Sequence, residues 1–182
     1  MRVWTIGHST HTLERFATLL AAHEIAQVAD IRTVPKSRRH PHFDTDALAR
    51  SLPERAVAYV HLPRLGGWRR SDAESPNDAW RNRSFRGYAD YALGREFADG
   101  LAQLRQLSGA RRTAMMCSEA LWWRCHRRLI ADHLLVAGDT VCHISSGGRA
   151  TAHQLTSFAT VMNGEITYST SYQTPMPAVR PS

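Results

Sequence analysis

One segment of the chain collects most of the side chains that could do chemistry. Residues 113–135 read TAMMCSEALWWRCHRRLIADHLL, in which an apolar run is followed by thiols, a carboxylate, imidazoles and guanidinium groups. The run at 113–116 predicts a buried strand, and residues 121–137 predict a helix. Because the N-terminus of a helix is electropositive, the turn between the two favours anions. We therefore expect Cys117 and Glu119 to meet an anionic ligand at this turn.

Cys117 is the first candidate for a nucleophile. A nearby helix end and arginines would lower the pKa of its thiol and favour the reactive thiolate, whereas Glu119 would oppose this effect or act as a base. The alternative is an inert core cysteine at a strand end. Six residues separate Cys117 from Arg124, one more than in the C-x5-R phosphate loop of cysteine phosphatases, and two of them are bulky tryptophans, so such a loop is not expected.

A metal site built from thiols and imidazoles is a further alternative. Its candidate ligands are Cys117, Cys125, His126 and His143. Ligands of these types favour iron or zinc. Two observations argue against the site: no C-x2-C or H-x3-H pair is present, and on a helix Cys125 and His126 would point about 100° apart. Cys142 precedes His143 on a predicted strand, so the two face opposite sides and Cys142 is expected in the core.

Strands and helices alternate along the rest of the chain. Besides the strand at 113–116, apolar runs predict strands at 3–6, 28–31, 57–62, 140–144 and 166–170. Helices are predicted at 12–20, 44–52, 87–107, 121–137 and 151–162. This alternation predicts a mainly parallel sheet of about five strands with helices on both faces, a Rossmann-like or flavodoxin-like three-layer α/β fold.

Polar residues stand at the predicted carboxyl ends of five strands, which is where ligands bind in open α/β sheets. They are His8, Ser9, Asp30, Arg32, His61, Cys117, Glu119 and His143. We therefore predict that Cys117 and Glu119 share one pocket, in which Glu119 is a general acid or base. At least one histidine from another strand, His61 or His143, would line the same pocket and position the ligand or shuttle protons.

Arginines are the expected anion-binding groups. All but one of the 23 basic residues are arginines, Lys36 being the exception, and the formal net charge is +7. Arginine binds phosphate through two parallel hydrogen bonds and stacks on bases, although a GC-rich genome would also favour it. The expected anion-binding residues are Arg32, Arg38, Arg124 and Arg127, with Arg32 or Arg127 at the border of the pocket. Asp30 and Arg32 share one face of a strand, so a structural ion pair between them is an equal alternative to a phosphate held by Arg32 with Arg38 and Arg39.

The long irregular segment at 63–86 suggests a partner. It interleaves Trp68, Trp80 and Phe85 with six arginines. Stacking aromatics beside phosphate-binding arginines are what a single-stranded nucleic acid or a flipped base requires. The alternative is a loop that its aromatic residues anchor to the core, and the sequence favours the two equally.

Length and composition set further expectations. With 182 residues, the chain is expected to form one α/β domain at 1–170, followed by a disordered tail at 171–182. No run of about 18 apolar residues predicts a membrane span, and the first residues lack the apolar core of a signal peptide. Three cysteines without such a signal indicate reduced thiols and a cytoplasmic location. The oligomeric state is left open.

The ordered set of motifs resembles the bacterial and archaeal family known as domain of unknown function 488. The motifs are TIGHS, VADIRTVPKSRR, YVHLPRLGG, MCSEALWWRCHR and VCHI, which together span residues 5–144. Ser118 stands where the family commonly has alanine. Because the family has no established activity, the resemblance supports the fold and the site and implies no reaction.

Three hypotheses for function follow from these patterns. The first is an enzyme that acts on a phosphate-bearing ligand such as a nucleotide or nucleic acid, with Cys117 as nucleophile or ligand. The second is a nucleic-acid-binding accessory protein without turnover, in which the thiols are structural. The third is a metal-dependent redox or sensor domain with cysteine and histidine ligands.

Overall fold

The computed structural model describes residues 1–170, so the disorder predicted for 171–182 concerns residues outside the described part of the chain. Six strands form one sheet in the order β3-β2-β4-β1-β5-β6. The strands are β1 (Arg2–Gly7), β2 (Gln27–Asp30), β3 (Ala58–His61), β4 (Thr113–Cys117), β5 (Thr140–Ile144) and β6 (Ala150–Ala152). The first five are parallel, and β6 pairs antiparallel with β5 at the edge.

Helices cover both faces of this sheet, which confirms the three-layer α/β fold. The helices are α1 (Leu13–Ala22), α2 (Thr45–Ser51), α3 (Arg83–Ala92), α4 (Arg95–Ala110) and α5 (Arg127–Val136). Alternate strand residues point to opposite faces: Met116 packs with apolar residues of α1 and α2, and Met115 packs with those of α3, α4 and α5. No helix within residues 1–170 is long and apolar enough to cross a membrane.

The helix predicted at 121–137 is wrong over its first turns. Residues Trp122–Arg124 form a single 3-10 turn, and α5 begins at Arg127. The helix cannot start earlier because Cys125 is extended, with φ −129° and ψ 151°. Cys125 and His126 therefore precede the helix, and the electropositive end of α5 lies ten residues beyond Cys117.

Two other helix predictions also need correction. The helix predicted at 87–107 is two helices, because Gly94 is extended and caps the start of α4. The helix predicted at 151–162 is absent: these residues contribute β6 and the first strand of a hairpin formed by β7 (Thr160–Met162) and β8 (Glu165–Thr167). Asn163 and Gly164 both have positive φ at its turn, as two-residue hairpins favour.

The irregular segment at 63–86 is tied to the core at several points. The hydroxyl groups of Tyr88 and Tyr91 donate to the carbonyls of Leu65 and Arg64, at 2.8 and 2.6 Å. Trp80 is buried and stacks on Phe85 with ring centroids 4.9 Å apart. Anchoring of the loop to the core therefore accounts for Trp80. It does not account for Trp68, because the side chain of Trp68 is 81% exposed.

Candidate functional site

A cavity of about 770 Å³ lies at the carboxyl ends of β1, β2 and β4, the place where ligands bind in sheets of this kind. The residues that line it come from these strand ends, from the loops that follow β2 and β4, from the irregular segment at 63–86 and from the start of α3. Among them are His8, Ser9, Arg32, Lys36, Arg39, Trp68, Phe85, Cys117, Glu119, Arg124, Cys125 and His126. The cavity therefore lies at the edge of the sheet where the sequence predicts a ligand site.

Close backbone contact between β1 and the turn after β4 shapes one wall of the cavity. Beyond the paired strands, the amide of His8 donates to the carbonyl of Cys117 at 2.9 Å, and the amide of Ser9 donates to that of Ser118 at 3.0 Å. A Cβ atom on Gly7 would lie 2.0 Å from the carbonyl oxygen of Glu119. Only glycine permits this approach, which brings His8 beside Cys117.

Two thiols and an imidazole converge in the cavity. The sulfur atoms of Cys117 and Cys125 and a ring nitrogen of His126 all lie within 4.8 Å of one another. The Sγ of Cys125 is 3.5 Å from Nδ1 of His126. The sequence-based expectation that Cys125 and His126 would diverge is wrong, because neither residue lies within a helix.

Hydrogen bonding fixes the tautomer of His126. Its Nε2 is 3.2 Å from the carbonyl oxygen of Ile31, which can only accept, so Nε2 carries the proton and Nδ1 is free in the neutral ring. Burial lowers the pKa of His126 below its ordinary value and keeps the ring neutral. The lone pair of Nδ1 therefore faces the two thiols.

The pKa values of the two thiols are shifted in opposite directions. The hydrogen bond to Cys125, together with burial, raises the pKa of Cys117. Burial would also raise the pKa of Cys125, but the hydrogen bond from Cys117 and the positive charge of Arg127 outweigh it and lower this pKa to about 6. Cys125 is therefore the more readily ionised of the two thiols, whereas the sequence favoured Cys117 as the activated thiol.

Arg32 is tied to its neighbours by nearly all of its donors. Its Nε and Nη2 donate to the carboxylate of Asp30 at 2.8 and 2.5 Å, and Nη2 also donates to the carbonyl of Phe43 at 2.7 Å. Its Nη1 donates to Nε2 of His8 at 3.2 Å. Of the two alternatives for Asp30 and Arg32, the buried ion pair is therefore the one formed, and it contributes little net charge to the cavity.

His8 is an uncharged member of the cavity wall. Burial and the charge of Arg32 lower its pKa from 6.5 to about 4. Its Nδ1 donates to the carbonyl of Ser9 at 3.0 Å, since Nε2 accepts from Arg32. Neither ring nitrogen is therefore free to take a proton from a ligand at neutral pH.

Three exposed cations reach the cavity besides Arg32. They are Lys36, Arg39 and Arg124, and the exposed Glu119 lines the same cavity. Arg39 was considered together with Arg32 and Arg38 as a phosphate site, and Lys36 was not among the expected anion-binding residues. Their signal was the basic loop PKSRRHP directly after the end of β2, where a sheet of this type places its ligand.

Five of the expected site residues do not line the cavity. One is Asp30, which is paired with Arg32. His61 lies at the end of β3 and donates from Nε2 to the carbonyl of Arg32 at 2.8 Å. Arg38 is exposed elsewhere on the same loop as Arg39. Arg127 is buried and donates to the carbonyls of the 119–120 turn. It therefore orders that turn and cannot reach a ligand.

His143 belongs to a separate buried network. Its ring hydrogen bonds to Thr5 at 2.8 Å and to His153 at 2.9 Å, and it stacks on Trp122. The prediction that His61 or His143 shares the pocket of Cys117 is wrong for both. The reason is the strand order, which places β3 and β5 each two positions from β4, about 10 Å away.

Comparison with known proteins identifies the family. The family described as Domain of unknown function DUF488 matches residues 12–134, from the start of α1 to near the end of α5. The match covers more than half of the chain, so the chain belongs to this family, and the resemblance noted in its motifs is confirmed. The chain matches no curated protein and no solved structure.

Proposed function

We propose that this DUF488 protein is an enzyme that acts on a phosphate-bearing ligand, a nucleotide or a nucleic acid strand, in the cavity at the strand ends. The observation that carries the proposal is the meeting of three features in one cavity. These are a pair of neighbouring thiols, a group of exposed cations and an exposed indole.

The cations supply the affinity for phosphate. Lys36, Arg39 and Arg124 outnumber the single exposed carboxylate of Glu119 at the cavity. Guanidinium groups bind phosphate oxygens through two parallel hydrogen bonds. Because Asp30 already neutralises Arg32, these three exposed side chains provide most of the field that an anion would meet.

The aromatic side chains supply a surface for a base. Trp68 leaves most of its indole in solvent, and Phe85 lines the same cavity. An aromatic ring that stacks on a base contributes about 1–3 kcal/mol. A volume of about 770 Å³ is in the range of small-molecule sites and suits one nucleotide or one flipped base.

The reacting groups would be the thiol pair and Glu119. The Cys125 thiolate is the nucleophile or a ligand, and Cys117 is the neighbouring proton donor that favours its ionised form. Glu119 is exposed in the same cavity and can act as a general acid or base. These roles fit a thiol-assisted or metal-assisted transferase or hydrolase.

Binding without turnover is the second candidate function. Arg81 and Arg83 are exposed beside Ser84 and Phe85, which line the cavity. A nucleic acid strand could therefore continue from the cavity across this basic rim, and the net charge of +7 would assist. In that case the role of the thiols would be structural only.

A binding experiment with matched variants tests the ligand class. The probes are a nucleoside monophosphate and a fluorescein-labelled single-stranded oligonucleotide, titrated at several salt concentrations. We expect Trp68→Ala to weaken oligonucleotide binding by about 5- to 150-fold, the equivalent of one lost stacking contact. Arg39→Ala should reduce the salt slope by about one, whereas Arg38→Ala, which removes the same charge outside the cavity, should retain the affinity for the monophosphate.

The same preparation separates the two candidate functions. If the protein converts a bound nucleotide or oligonucleotide and Cys125→Ser abolishes conversion but retains binding, the enzyme is supported. Binding without any conversion supports the accessory protein. Absence of binding to both probes at low salt would exclude this ligand class altogether.

A further inference from the structure

We propose that Cys117, Cys125 and His126 bind one thiophilic divalent metal ion, zinc or ferrous iron, through two sulfurs and Nδ1, with a fourth coordination position open to the cavity. Cys117 is the last residue of β4, and Cys125 and His126 directly precede α5. This metal site goes beyond the ligand proposed above and does not depend on it.

The distances between the three donor atoms suit a small tetrahedral ion. With metal–sulfur distances of about 2.3 Å and metal–nitrogen distances of about 2.0 Å, donors in a tetrahedral site are separated by about 3.5 Å. The Cys125 Sγ to His126 Nδ1 distance of 3.5 Å already has this value. All three atoms lie within 4.8 Å, so a contraction of about 1 Å closes the site.

The hydrogen bonding of the imidazole also suits a metal. His126 is neutral with its free lone pair on Nδ1, while Nε2 donates to the carbonyl of Ile31. A ring nitrogen that donates to a backbone carbonyl is the usual partner of a metal-binding imidazole, because it fixes both the tautomer and the ring orientation.

The surroundings hold the ligands in place before an ion arrives. The backbone of Gly67 lies so close to the imidazole that a Cβ atom there would be 2.6 Å from Nδ1 of His126. The ring of Tyr88 packs against the same imidazole, with its centroid 5.1 Å from that of His126. Both cysteines are buried.

The number of ligands indicates what the ion would do. Among residues 1–170, no fourth histidine, cysteine or carboxylate joins this group of three. All three ligands line the cavity, so the remaining position faces the space where a substrate would sit. Structural zinc sites are closed by four protein ligands, whereas catalytic sites keep three and leave one position for water or substrate. The geometry therefore points to a metal that takes part in chemistry.

Cobalt substitution tests the site directly. The full chain is purified without an affinity tag under reducing, anaerobic conditions and is then titrated with Co²⁺ alone. The expected result is one Co²⁺ per chain, with sulfur-to-cobalt charge transfer in the near ultraviolet and the intense visible bands of tetrahedral cobalt. Competition with a chromophoric chelator gives the affinity.

Matched cysteine variants assign the ligands. Cys117→Ser and Cys125→Ser should each lose about half of the charge-transfer intensity. Loss of a residue that only hydrogen bonds to a ligand lowers metal affinity by about 10- to 100-fold, so loss of a ligand itself should lower the affinity for Co²⁺ by more than that. Cys142→Ser is the control, because this third cysteine is half-buried against the α1 side of the sheet, and it should bind like the parent. Circular dichroism of the metal-free variants checks that they are folded.

Gly67→Ala provides an independent check that spares all three ligands. Because its methyl group would push on Nδ1 of His126, we expect it to weaken Co²⁺ binding by about 10-fold while both thiolate contributions remain. Gly109→Ala, where the nearest atom is 4.0 Å away, should have no effect. Absence of a tetrahedral cobalt spectrum, equal loss of binding in Cys142→Ser, or a Cys117–Cys125 disulfide in the reduced preparation would each overturn the proposal. None of these outcomes depends on nucleotide binding.

Discussion

The inequality of the two buried thiols gives a sharp prediction about reactivity. In the metal-free protein, Cys125 should be alkylated with a pH midpoint of about 6. At pH 7 this corresponds to about 90% thiolate, compared with about 1% for a thiol at the ordinary pKa of 9.0. The hydrogen bond from Cys117 is the largest of the effects that offset the burial of Cys125, and the charge and hydrogen bonds of Arg127 follow it. Cys117→Ala should therefore raise the pKa of Cys125 and reduce its thiolate fraction at pH 7.

The assay measures the rate of iodoacetamide labelling of each cysteine against pH by mass spectrometry. Both sulfurs are nearly inaccessible in the folded chain, so absolute rates include an access factor. This factor does not change the midpoint, which is therefore the quantity to compare. Cys142 is the internal reference for each sample. A midpoint for Cys125 that is near 9 in the parent protein, or that stays near 6 in Cys117→Ala, would refute the shared-proton description of the pair.

Two further predictions concern stability. Asp30→Asn leaves the buried Arg32 guanidinium without its carboxylate, so the free energy of unfolding should fall by about 3–5 kcal/mol in denaturant titrations; a loss below 1 kcal/mol would contradict the structural role of the pair. Burial lowers the pKa of His133 from 6.5 to about 4, so the folded state binds fewer protons than the unfolded state between these values and stability should decrease as the pH falls from 6.5 to 4. His133→Leu should flatten this part of the curve of unfolding free energy against pH, and an unchanged slope would assign the acid sensitivity to other groups.

The sequence predicted the parallel sheet because its signals are local. Apolar runs marked all five parallel strands, and the polar residues after β1, β2 and β4 do meet at one cavity. The order of the strands in the sheet could not be predicted in this way, because it depends on how distant segments of the chain pack. In the structure β1 and β2 are the neighbours of β4, and His61 and His143 lie on the next strands outward, β3 and β5.

The thiol–imidazole group could not be derived from spacing for a related reason. Helical periodicity after Cys117 indicated a continuous helix, on which Cys125 and His126 diverge. The extended backbone at Cys125 reverses that conclusion. Its cause is tertiary: the imidazole of His126 is drawn to the carbonyl of Ile31, 95 positions earlier in the chain. The basic loop was visible in the sequence, but which of its side chains turn toward the cavity was not.

Gly7 carries a consequence for any mutational scan of this protein. Every side chain at this position would collide with the backbone of Glu119, so all substitutions should be depleted in a saturation library. Yet Gly7 does not line the cavity and need touch no ligand. Intolerance to substitution would thus give the same score to Gly7 as to a reacting group such as Cys125. Screens that record cellular abundance beside activity can distinguish the two, because loss at Gly7 would appear in both measurements and loss at a reacting group in activity alone.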